Sequence, residues 1–112
     1  MLYTIENVND FDNCPILDKM SQSTIDDIKE TMEIYDTNYN NNGIDGGHIV
    51  IAEDKKDLDK IGRIYFDCDD YAYSNNEYCD DLGDGWFKVL YILGTEYQIV
   101  MYVTRELVDK YF

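Results

Sequence analysis

Two runs near the C-terminus, Trp86 to Leu93 and Glu96 to Val103, constrain the fold of this chain more than any other feature. Both are rich in β-branched and aromatic residues, and Gly94-Thr95 between them is the glycine-first pair expected of a two-residue type II′ hairpin. A half-buried strand alternates apolar with polar positions. These runs are apolar on much of both faces, which places them centrally in a sheet.

The rest of the chain supplies elements to pack around that hairpin. An imperfect alternation over Leu2 to Val8 predicts a first strand, followed by a loop through Pro15. Ser21 or Ser23 then caps a helix to about Tyr35, with Ile25, Ile28, Met32 and Tyr35 on one stripe and Asp26, Glu30 and Glu33 opposite. Asn38 to Gly47 reads as a turn, because Asn and Gly tolerate positive φ. His48 to Glu53 reads as a strand. Asp54 is placed to cap a short helix from Lys55 to Ile61 that Gly62 would end, with Arg63 to Cys68 extended beyond it. Thr104 is placed to cap a last helix over Arg105 to Phe112, burying Leu107, Val108 and Tyr111. The expectation is one α+β domain over residues 1–112: a mainly antiparallel sheet of four to five strands, one long helix and one or two short ones.

Charge sets the functional expectation. The 24 acidic residues against 9 basic ones give a net charge of -15 in 112 residues, a self-repulsion beyond what solubility requires. No cation falls between Arg63 and Lys88, an interval that holds Asp67, Asp69, Asp70, Glu77, Asp80, Asp81 and Asp84. Residues 69–85 are long for a connection, and Tyr71, Tyr73 and Tyr78 interleave with the acids, with Trp86 closing the segment. Carboxylates accept charge-assisted hydrogen bonds from Arg and Lys, and aromatic rings give rigid contact area. These eleven residues, Asp67, Asp69, Asp70, Tyr71, Tyr73, Glu77, Tyr78, Asp80, Asp81, Asp84 and Trp86, form the expected partner-binding set. The expected partner is a basic protein, because DNA, RNA and anionic lipid would be repelled.

Catalytic and metal patterns are incomplete. Asp45 followed by Glu53-Asp54-Lys55 resembles the PD-(D/E)xK nuclease arrangement over eleven residues, which would imply carboxylates on Mg²⁺ and Lys55 orienting water. Asp45 has no preceding Pro, the interval to Glu53 is short, and no basic face stands ready for DNA. An EF-hand begun at Asp36 needs Gly and Glu where Asn41 and Gly47 stand. Cys14, His48, Cys68 and Cys79 lack the short chelating pairs of structural zinc, and three cysteines without a CxxC fit a reducing compartment. Asp45 to Gly47 lacks the Lys-Ser/Thr of a phosphate-binding loop. No catalytic residue, metal or cofactor is therefore assigned. With neither a signal-like start nor a membrane-length apolar run, the expected location is cytoplasmic.

These features lead to the expectation of a non-enzymatic inhibitor that mimics nucleic acid on the basic surface of a nuclease or defence protein, of the anti-CRISPR or anti-restriction type found in phage. An immunity protein against a basic toxin nuclease needs the same face. A small regulatory protein-binding domain is the third reading, and a metal-dependent nuclease the fourth.

Overall fold

In the computed structural model, which describes residues 2–42, 47–65, 78–93 and 97–112 (backbone alone at 34–42, 47–48, 65, 78, 91–93 and 97–98), the hairpin is the centre of the molecule. Strand β4 (Trp86–Leu93) pairs antiparallel with β5 (Tyr97–Thr104), Phe87 opposite Val103 and Val89 opposite Met101. Leu93 lies opposite Tyr97, so three residues rather than two separate the paired ends. Gly94-Thr95 itself lies outside the described residues.

Strand β2 (Gly47–Ala52) runs parallel to β5 on its other side, and β1 (Tyr3–Ile5) and β3 (Tyr78–Asp81) form the two edges. The order is β1-β2-β5-β4-β3, with three antiparallel pairings and one parallel. A parallel neighbour requires a crossover, and buried crossovers cover the sheet with helices. Ile49, Ile51, Val100, Tyr102 and Trp86 point to one face, under α1 (Val8–Asp12), a 3-10 turn (Pro15–Lys19) and α2 (Gln22–Asn42). Val50, Ala52, Phe87, Val89, Ile99, Met101 and Val103 point to the other, under α3 (Lys55–Tyr65) and α4 (Arg105–Tyr111). The described residues thus build a three-layered α+β domain, and its central strands are apolar on both sides because both sides are covered.

Several boundaries differ from expectation, each for a local reason. Val8 opens α1 rather than closing β1: the Asn7 side chain accepts from Asp10 N at 2.9 Å while Asp10 Oδ2 accepts from Glu6 N at 2.9 Å, a reciprocal cap. Helix α2 continues to Asn42 through residues read as a turn, because Asn is a weak helix former, costing up to about 0.7 kcal/mol, and not a breaker. Gly62 lies inside α3, and Arg63 to Tyr65 are helical rather than extended. A mid-helix glycine costs about 1 kcal/mol, less than what Leu58 and Ile61 recover by packing on the sheet. The start of α3 is as expected: Asp54 Oδ1 accepts from Asp57 N at 3.0 Å, and Asp57 Oδ2 reaches back to Glu53 N at 2.8 Å.

Candidate functional site

Among the described residues, helix α2 carries a regularly spaced display of carboxylates. Ile25, Ile28 and Met32 pack into the apolar layer over the sheet, and a polar clamp fixes the helix rotation. Tyr102, fully buried on β5, donates its hydroxyl hydrogen to Asp27 Oδ2 at 2.7 Å and lies 2.8 Å from Thr31 Oγ1. Lys88 Nζ on β4 reaches the same Asp27 Oδ2 at 3.2 Å. Burial, reinforced by the neighbouring Asp27 and Glu30 charges, pushes the Tyr102 phenol far above its ordinary value, so it remains a donor. With that face locked inward, Asp26, Glu30 and Glu33 project outward at i, i+4, i+7. Successive members of that stripe are about 5–6 Å apart at Cβ. Lys29, the one cation of α2, sits 5.8 Å over the Phe11 ring.

The turn from β3 to β4 gathers the next acids. Asp80 is the cross-strand partner of Lys88, which puts it on the α2 side of the sheet. Asp81 is exposed and pairs with Arg105 at 3.3 Å; its Oδ1 accepts from Gly83 N at 2.9 Å. Gly83 and Gly85 adopt φ of 90° and 94°, a region costly for residues with a Cβ, and this lets the chain turn sharply around Asp84.

Asp84 and Trp86, expected in the partner-binding set, are used by the fold instead. Asp84 Oδ2 accepts from Ser21 N at 2.8 Å and Thr24 Oγ1 at 2.7 Å, and Oδ1 accepts from Trp86 N at 3.1 Å. Ser21 is the N-cap of α2 and Thr24 its third residue, so Asp84 completes the helix cap from a distant turn. Burial acts to raise its pKa, but these hydrogen bonds outweigh it and hold the carboxyl below the usual range. Trp86 is only 5% exposed, packs in the core, and donates its indole N–H to Lys19 O at 3.3 Å.

Asp67, Asp69, Asp70, Tyr71, Tyr73 and Glu77 lie outside the described residues, as does the side chain of Tyr78. Of the nuclease-like set, Asp45 is also outside; Glu53 pairs with Lys19 at 2.8 Å, and Lys55 pairs with Asp59 within α3. Cys14 is buried and Cys79 exposed, and among the described residues no three His, Cys, Asp or Glu side chains converge as a metal site. Partial shielding, with Asp80 and Asp81 beside it, pushes the Cys79 thiol up. Among the described residues no helix is long and apolar enough to cross a membrane.

Comparison of the chain with protein-family models, curated proteins and solved structures found no match. The sequence expectation puts the binding face on residues 67–86 and not on α2. Of the expected set, Asp84 and Trp86 are engaged internally, whereas Asp80 is half-buried and Asp81 exposed; the α2 stripe is outward and clamped. The signal was present in the i, i+4, i+7 spacing of Asp26, Glu30 and Glu33.

Proposed function

We propose that this protein is a non-enzymatic inhibitor that presents carboxylates to the basic, nucleic-acid-binding surface of another protein, such as a nuclease or a defence complex of the kind phage must neutralise. The observation that carries the reading is the outward stripe Asp26, Glu30 and Glu33 on a helix held in place by the Thr31–Tyr102–Asp27–Lys88 clamp. Duplex DNA sets phosphates about 3.4 Å apart per strand along its axis. Carboxylates spaced about 5–6 Å apart match that spacing loosely, but Lys and Arg side chains are long enough to take up the difference. Rigidity matters more than spacing, because a preset array does not have to be ordered on binding. Asp80, on the same side of the sheet, extends the acidic face, while Lys88 is held by Asp27.

The test is capture. Immobilised protein should retain a basic nucleic-acid-binding protein from a host or competitor lysate at about 0.15 M salt and release it near 1 M, where screening acts within about 3 Å. Added duplex DNA or RNA should compete for the captured partner, and Glu30→Lys with Glu33→Lys should abolish retention. Retention that nucleic acid does not displace, or that the double variant keeps, would refute the mimicry.

A further inference from the structure

The cations of this acidic chain are segregated. Four of the nine, Lys55, Lys56, Lys60 and Arg63, belong to α3, on the sheet face opposite α2. Lys55 is engaged with Asp59 and stands 5.4 Å from the Tyr111 ring. Lys56, Lys60 and Arg63 are exposed and make no ion pair among the described residues. Their spacing, i, i+4, i+7, repeats that of Asp26, Glu30 and Glu33 on α2.

A second pair of features accompanies the charges. Ile64, beside Lys60 and Arg63 on α3, is 62% exposed, and Val8 is 60% exposed; they are the two large apolar side chains left exposed among the described residues. Val8 borders an open groove of about 580 Å³ between α1 and α2, lined by Phe11, Met32, Lys29 and Glu33 among others. The groove therefore adjoins one end of the acidic stripe, as Ile64 adjoins one end of the basic stripe.

We infer that a second copy of this chain is the partner of the α3 face: Lys56, Lys60 and Arg63 of one copy dock on Asp26, Glu30 and Glu33 of the next, and Ile64 enters the groove between α1 and α2. The register is set by helix geometry. When two helices lie side by side in parallel with those three pairs facing, positions displaced one way around α3 meet positions displaced the opposite way around α2. At about 100° per residue, Ile64 falls on the side of α2 that carries Lys29 and Met32, which is the groove side. The two patches lie on opposite faces of the sheet, so a two-fold pair cannot satisfy both, and the contact is head-to-tail. Each copy carries a charge of -15, but at about 0.15 M salt that repulsion is screened beyond roughly 8 Å, while the contact charges sit closer than this. The inference is independent of the proposed inhibitory function, although a basic partner on α2 would compete with it.

Sedimentation velocity on the purified protein tests this without any partner. At about 0.15 M salt the weight-average sedimentation coefficient should rise with protein concentration, and near 1 M it should fall to the monomer value. Lys60→Glu with Arg63→Glu, and separately Glu30→Lys with Glu33→Lys, should each weaken association roughly tenfold or more, the effect of losing several partly exposed pairs at once. Mixing the two double variants should restore association, because the native α2 of one meets the native α3 of the other. Native circular dichroism and Trp86 fluorescence in both variants establish that these exposed changes leave the fold intact. A monomer at every concentration and salt, association unchanged by both double variants, or a mixture that stays monomeric would overturn the inference.

Discussion

Replacing Asp84 by Asn separates an internal cap from a surface charge. The native carboxylate takes three donors, Ser21 N, Thr24 Oγ1 and Trp86 N, at 2.8, 2.7 and 3.1 Å. Hydrogen bonds to a charged group contribute about 1.5–3 kcal/mol each, and a helix cap about 1 kcal/mol. Asp84 is half-buried, so water replaces part of what is lost, and the net cost falls below the sum of those ranges. Asn keeps one oxygen but turns its amide N–H₂ toward the remaining donors. The expected cost is about 1–2 kcal/mol for Asp84→Asn and about 2–3 kcal/mol for Asp84→Ala, or about 5–10 °C in melting temperature for the former. Urea unfolding followed by Trp86, the one tryptophan of the chain, reads the loss directly. The pH dependence has a definite sign. Because the folded carboxyl lies below its ordinary value, its contribution is complete above the unfolded value of about 3.9 and is lost as pH falls through the lower folded value. The gap between native and Asp84→Asn should therefore be constant from about pH 5 to 8 and close below about pH 4. If Asp84→Asn unfolds within about 0.5 kcal/mol of the native protein, the scatter of ordinary surface changes, the capping argument fails.

Tyr102→Phe and Thr31→Val should each cost about 1–2 kcal/mol, and the double variant should fall short of their sum by about 1 kcal/mol because they share one hydrogen bond; urea titrations of all four proteins check this cycle. Cys79, although exposed, should alkylate slowly near pH 8, and Asp80→Asn should speed it by lowering the raised thiol pKa, as followed by mass spectrometry of the labelled peptide. Fluorescence anisotropy at about 0.15 M salt should detect no saturable binding of DNA or RNA by the protein itself, and saturation would defeat the mimicry.

Local rules carried the sequence reading a long way, and its failures have local causes. Thr104 does precede α4, but its side chain makes no capping hydrogen bond, and its Oγ1 donates instead to Glu53 O at 3.5 Å. Trp86 to Leu93 matches β4 because a doubly apolar strand is visible in a few residues. The Asp54 cap was legible for the same reason. The Asn7/Asp10 cap has the same form but is hidden in sequence by the apparent alternation of Leu2 to Val8. Gly62 misled because its penalty is smaller than the burial that surrounds it. Asp84 could not be assigned from sequence: its partners Ser21 and Thr24 are 63 and 60 residues away, and only the fold brings them together. An acid in a Gly-rich turn has the same local appearance whether it faces solvent or closes a helix.

That ambiguity bears on how an excess of charge should be interpreted. A net charge of -15 gives the sign of the field and nothing about its direction. Direction comes from what each ion is doing. Lys19, Lys55, Lys88, Arg105 and Lys110 are in ion pairs with carboxylates of the same chain, and Asp84 is consumed by a cap. Removing those engaged groups from consideration leaves, among the described residues, single exposed acids such as Asp12, Asp18 and Asp109 and two regular stripes, the outward acidic one on α2 and the outward basic one on α3, on opposite sides of the sheet. A uniformly acidic surface would repel copies of itself in every orientation. This arrangement instead gives the molecule two unlike sides, so that a basic partner is drawn to one of them and the other remains available for an acidic surface.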